Sequence, residues 1–220
     1  METAILSTGG KLFLPYFMSE FHDRLLRPNG NNPVRDRASG FKKIFAILDE
    51  KAMEAPGCYF RILETGTIRP DHGELCFGDD GCSTVIFDSF VCQMGGEVLS
   101  VDISPENVEY ARKHVSANTM VYCEDSIKQL YGIHDTIKYD LIYLDSYDII
   151  RDNPHPSQLH HLKELCASLK NTRSGTIICI DDHDAFFTGG QIGKGNYVKS
   201  FMDGIGAKEI HIGYQAIWLL

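Results

Sequence analysis

Short apolar runs alternate with segments of helical periodicity over most of the chain. The apolar runs are residues 59–64, 97–102, 120–123, 139–145 and 176–181. The helix-like segments that follow them are residues 83–93, 105–117, 126–131, 157–169 and 197–205. Short apolar runs predict buried strands, and their regular alternation with helices predicts a mostly parallel sheet.

The last two apolar runs, residues 209–212 and 215–220, are separated only by Gly213 and Tyr214. This connection is too short for a crossover helix, so the two strands must pair antiparallel. Residues 217–220 are apolar enough to form a central strand. The pattern therefore predicts the α/β class. We expect a Rossmann-like, doubly wound sheet of seven strands, mostly parallel with an antiparallel last strand, and helices on both faces.

Two helical segments precede the first predicted strand. The first ends at Leu26, before the breaker run 27–33, and the second spans residues 34–53 with apolar residues at helical spacing. Phe13, Phe17 and Phe21 on the first segment are expected to be packing residues. Both segments lie outside the strand–helix alternation. We therefore predict one domain over residues 1–220, with 1–57 as a helical cover or interface and 58–220 as the Rossmann-like core.

Composition and charge narrow the class of protein. The 220 residues are 43% apolar and 23% charged, as in an ordinary globular domain, and the net charge is −9. A chain this acidic, without a Lys and Arg cluster, is not expected to bind nucleic acid. No apolar stretch reaches the ~18 residues of a membrane span, and we expect no signal peptide. The seven cysteines include no CxxC pair, which favours buried, reduced thiols in a cytoplasmic protein.

Acidic residues stand where the predicted strands end. They are Glu64, Asp102, Asp125, Asp145, Asp181 and Asp182. The carboxyl ends of parallel strands share one edge of the sheet, and such sheets bind their ligands there. Buried strands that end in carboxylates make poor structure unless those charges meet a ligand or metal. Asp145, Asp181 and Asp182 together offer the oxygen ligands that Mg²⁺ or Ca²⁺ prefers. The adjacent His183 would admit a transition metal instead.

Two glycine turns lie within the first predicted strand–helix unit. Gly66 follows the strand and Gly81 precedes the helix, so we interpret the turns as two halves of one ligand-binding loop. Asp102 lies 36 residues beyond Gly66. Without the long excursion between the glycines, this spacing approaches the ~20 residues of a nucleotide-binding unit. A carboxylate there can accept hydrogen bonds from a ribose diol, and Asp125 is placed to meet an adenine edge.

Taken in order, the motifs ILETGT, GCST, VLSVDIS, CEDS, YDLIYLDSYD and GTIICIDDHD resemble class I S-adenosylmethionine-dependent methyltransferases. The resemblance covers residues 59–220 and is nearest to the metal-assisted small-molecule O-methyltransferases. It implies the following roles. The methionine side of the cofactor would be lined by Glu64, Gly66 and Thr67, with Asp145 also near it. The cofactor's carboxylate would be met by Gly81, Ser83 and Thr84. The ribose would be bound by Asp102, and the adenine by Asp125 and Ser126. Asp145, Asp181 and Asp182 would be the metal triad.

The sequence departs from this family in two places. Fourteen residues separate Gly66 from Gly81, where the family has far fewer. We expect the insertion, residues 68–80, to be a solvated loop, with a lid or a substrate wall as the alternative. Its side chains with ligand chemistry are Asp71, His72, Glu74, Asp79 and Asp80.

The second departure concerns the general base. The catechol type has a Lys just after the first metal Asp, whereas this chain reads Asp145-Ser146-Tyr147-Asp148. The candidates for a base are Asp148, His155, His160 and His183. Of the residues considered, Asp145, Asp148 and His183 are predicted to act in catalysis.

The resemblance implies methyl transfer from S-adenosylmethionine to an oxygen of a small-molecule acceptor, assisted by a divalent metal. Loops 148–157 and 187–197 are expected to surround the acceptor, and the glycines of the second loop suggest a mobile lid. We expect Arg151 and Lys194 in these loops to be solvated charges, with contact to an anionic acceptor as the alternative. Two alternatives stay open: a non-catalytic nucleotide- or cofactor-binding protein, and an Fe(II)-dependent hydroxylase that uses Asp145, Asp181 and His183. Assembly into a homo-oligomer is also left open.

Overall fold

The computed structural model describes residues 12–27, 35–70 and 75–220. Its strands are β1 (Phe60–Thr65), β2 (Gly96–Asp102), β3 (Thr119–Cys123), β4 (Leu141–Leu144), β5 (Ile177–Ile180), β6 (Lys208–Ile212) and β7 (Ala216–Leu219). They form one seven-stranded sheet in the order β3-β2-β1-β4-β5-β7-β6. β1 to β5 pair in parallel, and β7 pairs antiparallel with β5 and β6. The predicted doubly wound sheet is confirmed, including the place of β7 inside it.

The helices of the described residues are α1 (Leu14–Glu20), α2 (His22–Leu25), α3 (Ala38–Glu54), α4 (Ser83–Met94), α5 (Pro105–His114), α6 (Ser126–Gly132), α7 (His155–Ser168) and α8 (Asn196–Gly204). A single 3₁₀ turn, Leu169–Asn171, continues α7. Within these ranges, none of the helices has the length and apolar character needed to cross a membrane.

The two faces of the sheet bury separate apolar clusters. Ile62 of β1 belongs to a cluster with α3, α4 and α5, in which Phe87 is fully buried. Leu63, the next residue, belongs to the opposite cluster with α6, α7 and α8, together with Leu165. Successive side chains of a strand point to opposite faces, so one strand supplies both clusters. β4 and β5 are buried at every position, as expected for strands covered on both sides.

The N-terminal helices complete the first face. Phe13 and Phe17 pack on Phe45 of α3, with ring centroids 4.7 and 5.1 Å away. Phe13 also packs on Phe90 of α4 at 5.1 Å. Asp49 of α3 accepts hydrogen bonds of 2.8 Å from the N–H groups of Phe13 and the following residue, which fixes the start of α1. The phenylalanines are packing residues, as the sequence predicted.

Some boundaries differ from the sequence expectations. The first helical segment is divided into α1 and α2 at Phe21. α3 begins at Ala38, and the expected start at residue 34 lies outside the described residues, as do residues 28–33. α5 ends at His114 instead of residue 117, because Val115 adopts an extended conformation (φ −121°, ψ 162°). β4 is shorter than the predicted 139–145.

The cysteines only partly match their prediction. All seven are free, as expected. Cys82 and Cys179 are buried, but Cys92, Cys123 and Cys166 are exposed. The expectation that the thiols are buried was therefore wrong for these three.

Candidate functional site

Two adjoining cavities open at the carboxyl edge of the sheet. β1 lies between β2 and β4, where the strand order reverses, and sheets of this kind bind ligands at that point. The first cavity has a volume of about 300 Å³ and the second of about 250 Å³. Asp102, Ile103, Ser146 and Tyr147 line both, so the two cavities are parts of one site.

The structure brings most of the predicted cofactor residues to these cavities. Gly66, Thr67, Ser83 and Asp145 line the first cavity, Asp125 and Ser126 line the second, and Asp102 lies between them. The predicted residues Glu64, Gly81 and Thr84 are not part of either lining and lie behind it. The first cavity is also lined by Arg69, Asp80 and Asp148, and the second by His160.

The first glycine turn brings the backbone of β1 against that of β4. Gly66 has φ +79°, a conformation that favours glycine. A Cβ at this position would lie 2.6 Å from the carbonyl oxygen of Asp145. The N–H of Gly66 donates to the carbonyl of Val101 at 2.9 Å. A side chain here would therefore force β1 and β4 apart at the cavity.

Hydroxyl contacts join the two halves of the interrupted loop. The side chains of Thr67 and Thr84 are hydrogen-bonded at 3.0 Å, and the N–H of Ile68 donates to the Thr84 hydroxyl at 3.2 Å. Gly81 (φ +81°) and Cys82 (φ +49°) then turn the chain into α4. The two halves of the loop are therefore in contact, as the sequence predicts. The insertion begins and ends beside this contact.

Glu64 lies beneath this loop and is fully buried. Its two carboxylate oxygens accept hydrogen bonds from the hydroxyls of Ser83 (2.6 Å) and Ser100 (2.5 Å). Burial raises the pKa of Glu64 to about 7, against the lowering effect of these hydroxyls. The residue therefore holds the start of α4 against β1 and β2.

Asp102 is held by donors from its own neighbourhood. Its carboxylate accepts from the N–H of Thr67 (3.1 Å), the N–H of Ser104 (2.8 Å) and the side-chain amide of Asn107 (3.2 Å). These bonds orient the carboxylate at the boundary of the two cavities. The arrangement is suited to a diol that lies across both of them.

The second cavity is bordered by α6 and α7. Asp125 caps α6 by accepting from the N–H of Lys128 at 2.9 Å. The hydroxyl of Ser126 is hydrogen-bonded to Nε2 of His160 at 3.1 Å. Tyr147 packs its ring 5.3 Å from the His160 ring. The cavity thus combines a polar edge with aromatic walls.

Glu164 is a buried site residue that the sequence analysis missed. It accepts hydrogen bonds from the hydroxyls of Thr65 (3.1 Å) and Ser146 (2.7 Å), and it lies 3.3 Å from the imidazole of His160. Although burial opposes it, hydrogen bonding from His160 and the charges nearby keep the pKa of Glu164 below its ordinary value. The only sequence signal was its position four residues after His160 on one helix face.

The carboxylates of Asp145, Asp181 and Asp182 form the predicted cluster, with one oxygen of each within 4.8 Å of the others. The ammonium of Lys194 lies 2.5 Å from Asp145 and 3.2 Å from Asp182. The guanidinium of Arg37 lies 2.6 Å from Asp181 and 3.1 Å from Asp182. Each carboxylate is therefore paired with a cationic side chain.

Arg37 was not anticipated, and Lys194 was expected to be a solvated loop charge, with contact to an anionic acceptor as the alternative. Arg37 comes from the turn before α3 and passes beside Gly81, where a Cβ would lie 2.6 Å from its Cδ. Lys194 is buried, so it does not offer its charge to the cavity. Burial alone would lower the pKa of Lys194, but Asp145 and Asp182 outweigh burial and raise that pKa above its ordinary value. Lys194 is therefore a cation at neutral pH.

This pairing bears on the metal that the resemblance implies. Three clustered carboxylates are a suitable donor set for Mg²⁺. Here, however, their oxygens already accept hydrogen bonds from two resident cations, so a divalent ion would be placed against Lys194. The residues present do not fit a bound metal.

The candidate bases are in different environments. Asp148 lines the first cavity and is paired with Arg69 at 3.2 Å. His155 is exposed and bonds the Tyr197 hydroxyl at 2.7 Å. His183 is buried and enclosed by the glycine-rich loop, where a Cβ on Gly195 would lie 2.5 Å from its Nδ1. Asp148 and His160 are the two candidates that reach a cavity.

The described part of the insertion forms a wall beside the first cavity. Arg69 and Asp80 line the cavity and are paired at 3.2 Å. Phe77 is buried and stacks on Phe21 with a centroid distance of 5.7 Å. The guanidinium of Arg24 lies 3.7 Å from the Phe77 ring. These residues attach the insertion to the N-terminal helices. Asp71, His72 and Glu74 lie outside the described residues.

Solved structures with a similar fold include three methyltransferases. MycE, a methyltransferase from the mycinamycin biosynthetic pathway in complex with Mg, SAH and mycinamycin VI, matches with a TM-score of 0.53 and 17% identity, over 80% of this chain and 49% of MycE. CalS11, the TDP-rhamnose 3′-O-methyltransferase of calicheamicin biosynthesis, matches with a TM-score of 0.55 and 14% identity, over 94% of this chain and 83% of that one. A provisional O-methyltransferase from Klebsiella pneumoniae matches with a TM-score of 0.52 and 18% identity, over 96% of this chain and 90% of that one.

These likenesses show the fold, which the chain shares with the three methyltransferases and which the motifs predicted. The chain spans about half the length of MycE. No protein-family profile and no curated protein matches the sequence.

Proposed function

We propose that this chain is an S-adenosylmethionine-dependent methyltransferase that methylates an oxygen of a small molecule. The observation that carries the proposal is the pair of cavities at the strand-order reversal, with Asp102 between them. A nucleoside cofactor has three parts that match this arrangement: a base for one cavity, a further substituent for the other, and a ribose diol between them. The fold of the neighbours supports this cofactor in preference to a dinucleotide, because no compact GxGxxG turn follows β1.

The cofactor's parts correspond to particular residues. The second cavity takes the adenine between Ile103 and Tyr147, with Ser126 at its polar edge. Asp102 takes the ribose diol. Gly66 and Thr67 border the methionine side in the first cavity. The negative charge of Asp102 and of the cavity's other carboxylates suits a cationic cofactor.

When bound, the cofactor supplies a methyl group on a sulfonium, which is already electrophilic. The chain's own contribution is to align an acceptor oxygen behind that methyl group and to remove its proton. Alignment in a walled cavity supplies most of the reduction in the barrier. Asp148 lies on the wall of the first cavity, held by Arg69, where it can accept a proton from an acceptor hydroxyl.

Calorimetric titration tests the cofactor. We expect S-adenosylmethionine to bind with a stoichiometry of one and NAD not to bind. The Asp102→Asn variant should bind the cofactor about 10–100-fold more weakly, because it loses a charged acceptor. Asp135→Asn is the matched control, since Asp135 is exposed and lines neither cavity. Equal affinity in the two variants would contradict the assignment of Asp102.

Turnover separates the enzyme from a non-catalytic cofactor-binding protein. We expect mass spectrometry to detect transfer of a labelled methyl group to at least one member of a panel of hydroxylated small molecules. Binding of the cofactor without transfer to any acceptor would favour the non-catalytic alternative. The hydroxylase alternative has little support, because the carboxylate cluster of the described residues contains no histidine. Measuring oxygen consumption in the presence of Fe(II) tests directly for hydroxylase activity.

A further inference from the structure

The carboxylate cluster behind the first cavity has its own counter-ions. Among the described residues, Arg37 and Lys194 are the buried arginine and lysine, with relative exposures of 3% and 1%. Arg37 pairs with Asp181 and Asp182, and Lys194 pairs with Asp145 and Asp182. A buried cation is unfavourable unless it is paired, so the cluster explains why these two side chains are tolerated in the interior.

The oxygens of the cluster have further donors besides the two cations. The Tyr214 hydroxyl donates to Asp182, and the side-chain amide of Gln215 donates to Asp181 at 2.9 Å. The Lys194 ammonium also lies 3.3 Å from the Asp145 carbonyl. Both carboxylate oxygens of Asp181 and of Asp182 therefore have a donor, which leaves fewer acceptor sites for a metal ion.

The resident cations also oppose a metal ion by repulsion. Arg37 and Lys194 already bring two positive charges to the three carboxyl groups. A divalent ion on the same oxygens would lie within a few ångströms of the Lys194 ammonium, and repulsion between like charges is large in the interior. If Lys194 were absent, Asp145 would lose its cationic partner and a divalent ion would meet less repulsion at the cluster.

We propose that Lys194, supported by Arg37, is the resident cation of the Asp145–Asp181–Asp182 cluster and takes the place of a divalent metal. The protein as it stands does not bind a divalent ion there, and removal of the Lys194 side chain creates a site that does. Asp145 on the cavity wall is then positioned by an internal lysine that belongs to the glycine-rich loop. The inference concerns cation binding alone and does not depend on methyl transfer.

The test is metal-dependent thermal stability of the full chain, with titration calorimetry beside it. The wild-type protein should have the same melting temperature in EDTA as in excess Mg²⁺, Mn²⁺ or Ca²⁺. The Lys194→Ala variant should melt lower in EDTA and recover by about 5–10 °C at metal concentrations near 100 times its dissociation constant. Calorimetry should then detect one bound ion.

Lys199→Ala is the matched control. Lys199 lies five residues further along the same region and pairs on the surface with Asp203 at 2.8 Å and Glu209 at 3.3 Å. Its removal should create no metal response. If Lys194→Ala does not fold, Lys194→Gln retains a hydrogen-bond donor toward Asp145 and replaces it in the measurement.

Two results would overturn the inference. One is saturable binding of a single divalent ion to the wild-type protein that is lost in Asp145→Asn. The other is a folded Lys194 variant that shows no gain in metal binding over the wild type. Failure of S-adenosylmethionine to bind, in contrast, would contradict the proposed function and leave this inference unaffected.

Discussion

Two groups of carboxylates stand at the same edge of the sheet and are stabilised in different ways. Asp102 and Asp125 accept mainly from backbone N–H groups of the turns and helix that begin beside them. Asp181 and Asp182 accept from Arg37, which lies 144 and 145 positions away in the chain. The first group lines an accessible cavity. The second group has its charge balanced inside the protein.

This difference teaches that a carboxylate at the end of a strand is an ambiguous signal. At Asp102 and Asp125 the local turn supplies the donors, and one side of the carboxylate stays available to a ligand. At Asp181, which is fully buried, the partners come from other parts of the fold and leave no room for a ligand. The same residue type at the same edge can thus serve binding or internal structure.

The largest expected effect comes from breaking the buried pairing. Arg37→Met should lower the free energy of unfolding by about 3–5 kcal/mol, because Asp181 would be left as an uncompensated buried charge. Urea denaturation measures it. Arg35→Met is the control, since the Arg35 side chain is 40% exposed where it pairs with Asp79 and its loss should cost at most about 1 kcal/mol. Similar losses of unfolding free energy in the two variants would mean that the buried pairing contributes no more than an exposed ion pair.

A smaller effect on the free energy of unfolding is expected from Glu64. This buried carboxylate has hydroxyl partners and no cationic partner among the described residues. Its folded-state pKa of about 7 is above the ordinary value of 4.5, so the folded protein holds this proton more tightly than the unfolded chain. As pH rises from 4.5 to 7, the unfolded chain ionises first and stability falls, by about 3 kcal/mol at most. At lower pH this destabilisation is absent.

Glu64→Gln should remove that component of the pH dependence. The amide oxygen can still accept from one serine hydroxyl, and the other serine can rotate to accept. Unfolding free energies at pH 5 and pH 7.5, measured for both proteins, give the comparison. If the wild-type protein and the variant lose the same stability over this interval, Glu64 is ionised throughout.

The smallest expected effect belongs to the locally stabilised group. Asp125→Ala removes the cap of α6 and should lower the free energy of unfolding by about 1 kcal/mol. Lys128→Ala is the control, because it keeps the cap and removes only an exposed pair with Glu124. A loss in Asp125→Ala as large as that in Arg37→Met would contradict the distinction between the two groups.

Much of the fold could be predicted because its signals are local. Buried parallel strands are continuous apolar runs, and β4 and β5 are such runs. The predicted helix starts at residues 105 and 126 agree with α5 and α6, which the side chains of Ser104 and Asp125 cap. The ends of the helices were predicted less accurately, as at Val115, because neighbouring packing decides where a helix stops.

The cavity residues could be predicted for a related reason. A parallel sheet brings all its strand ends to one edge, so residues that follow strands must meet there. Glu164 and Arg37 could not be found in this way. Glu164 lies on α7 and Arg37 in the turn before α3, where position in the sequence does not indicate which side chain will reach the edge of the sheet.

By itself, the sequence determined the sheet, its antiparallel last strand and the edge at which the site lies, because apolar periodicity and strand ends are properties of neighbouring residues. Only the tertiary structure decided which carboxylates face a cavity and which are paired internally. That outcome depends on Arg37 and Lys194 reaching three aspartates that are far from Arg37 in the chain. Such a pairing is set by how the helices pack on the sheet, and the pattern along the chain does not carry it.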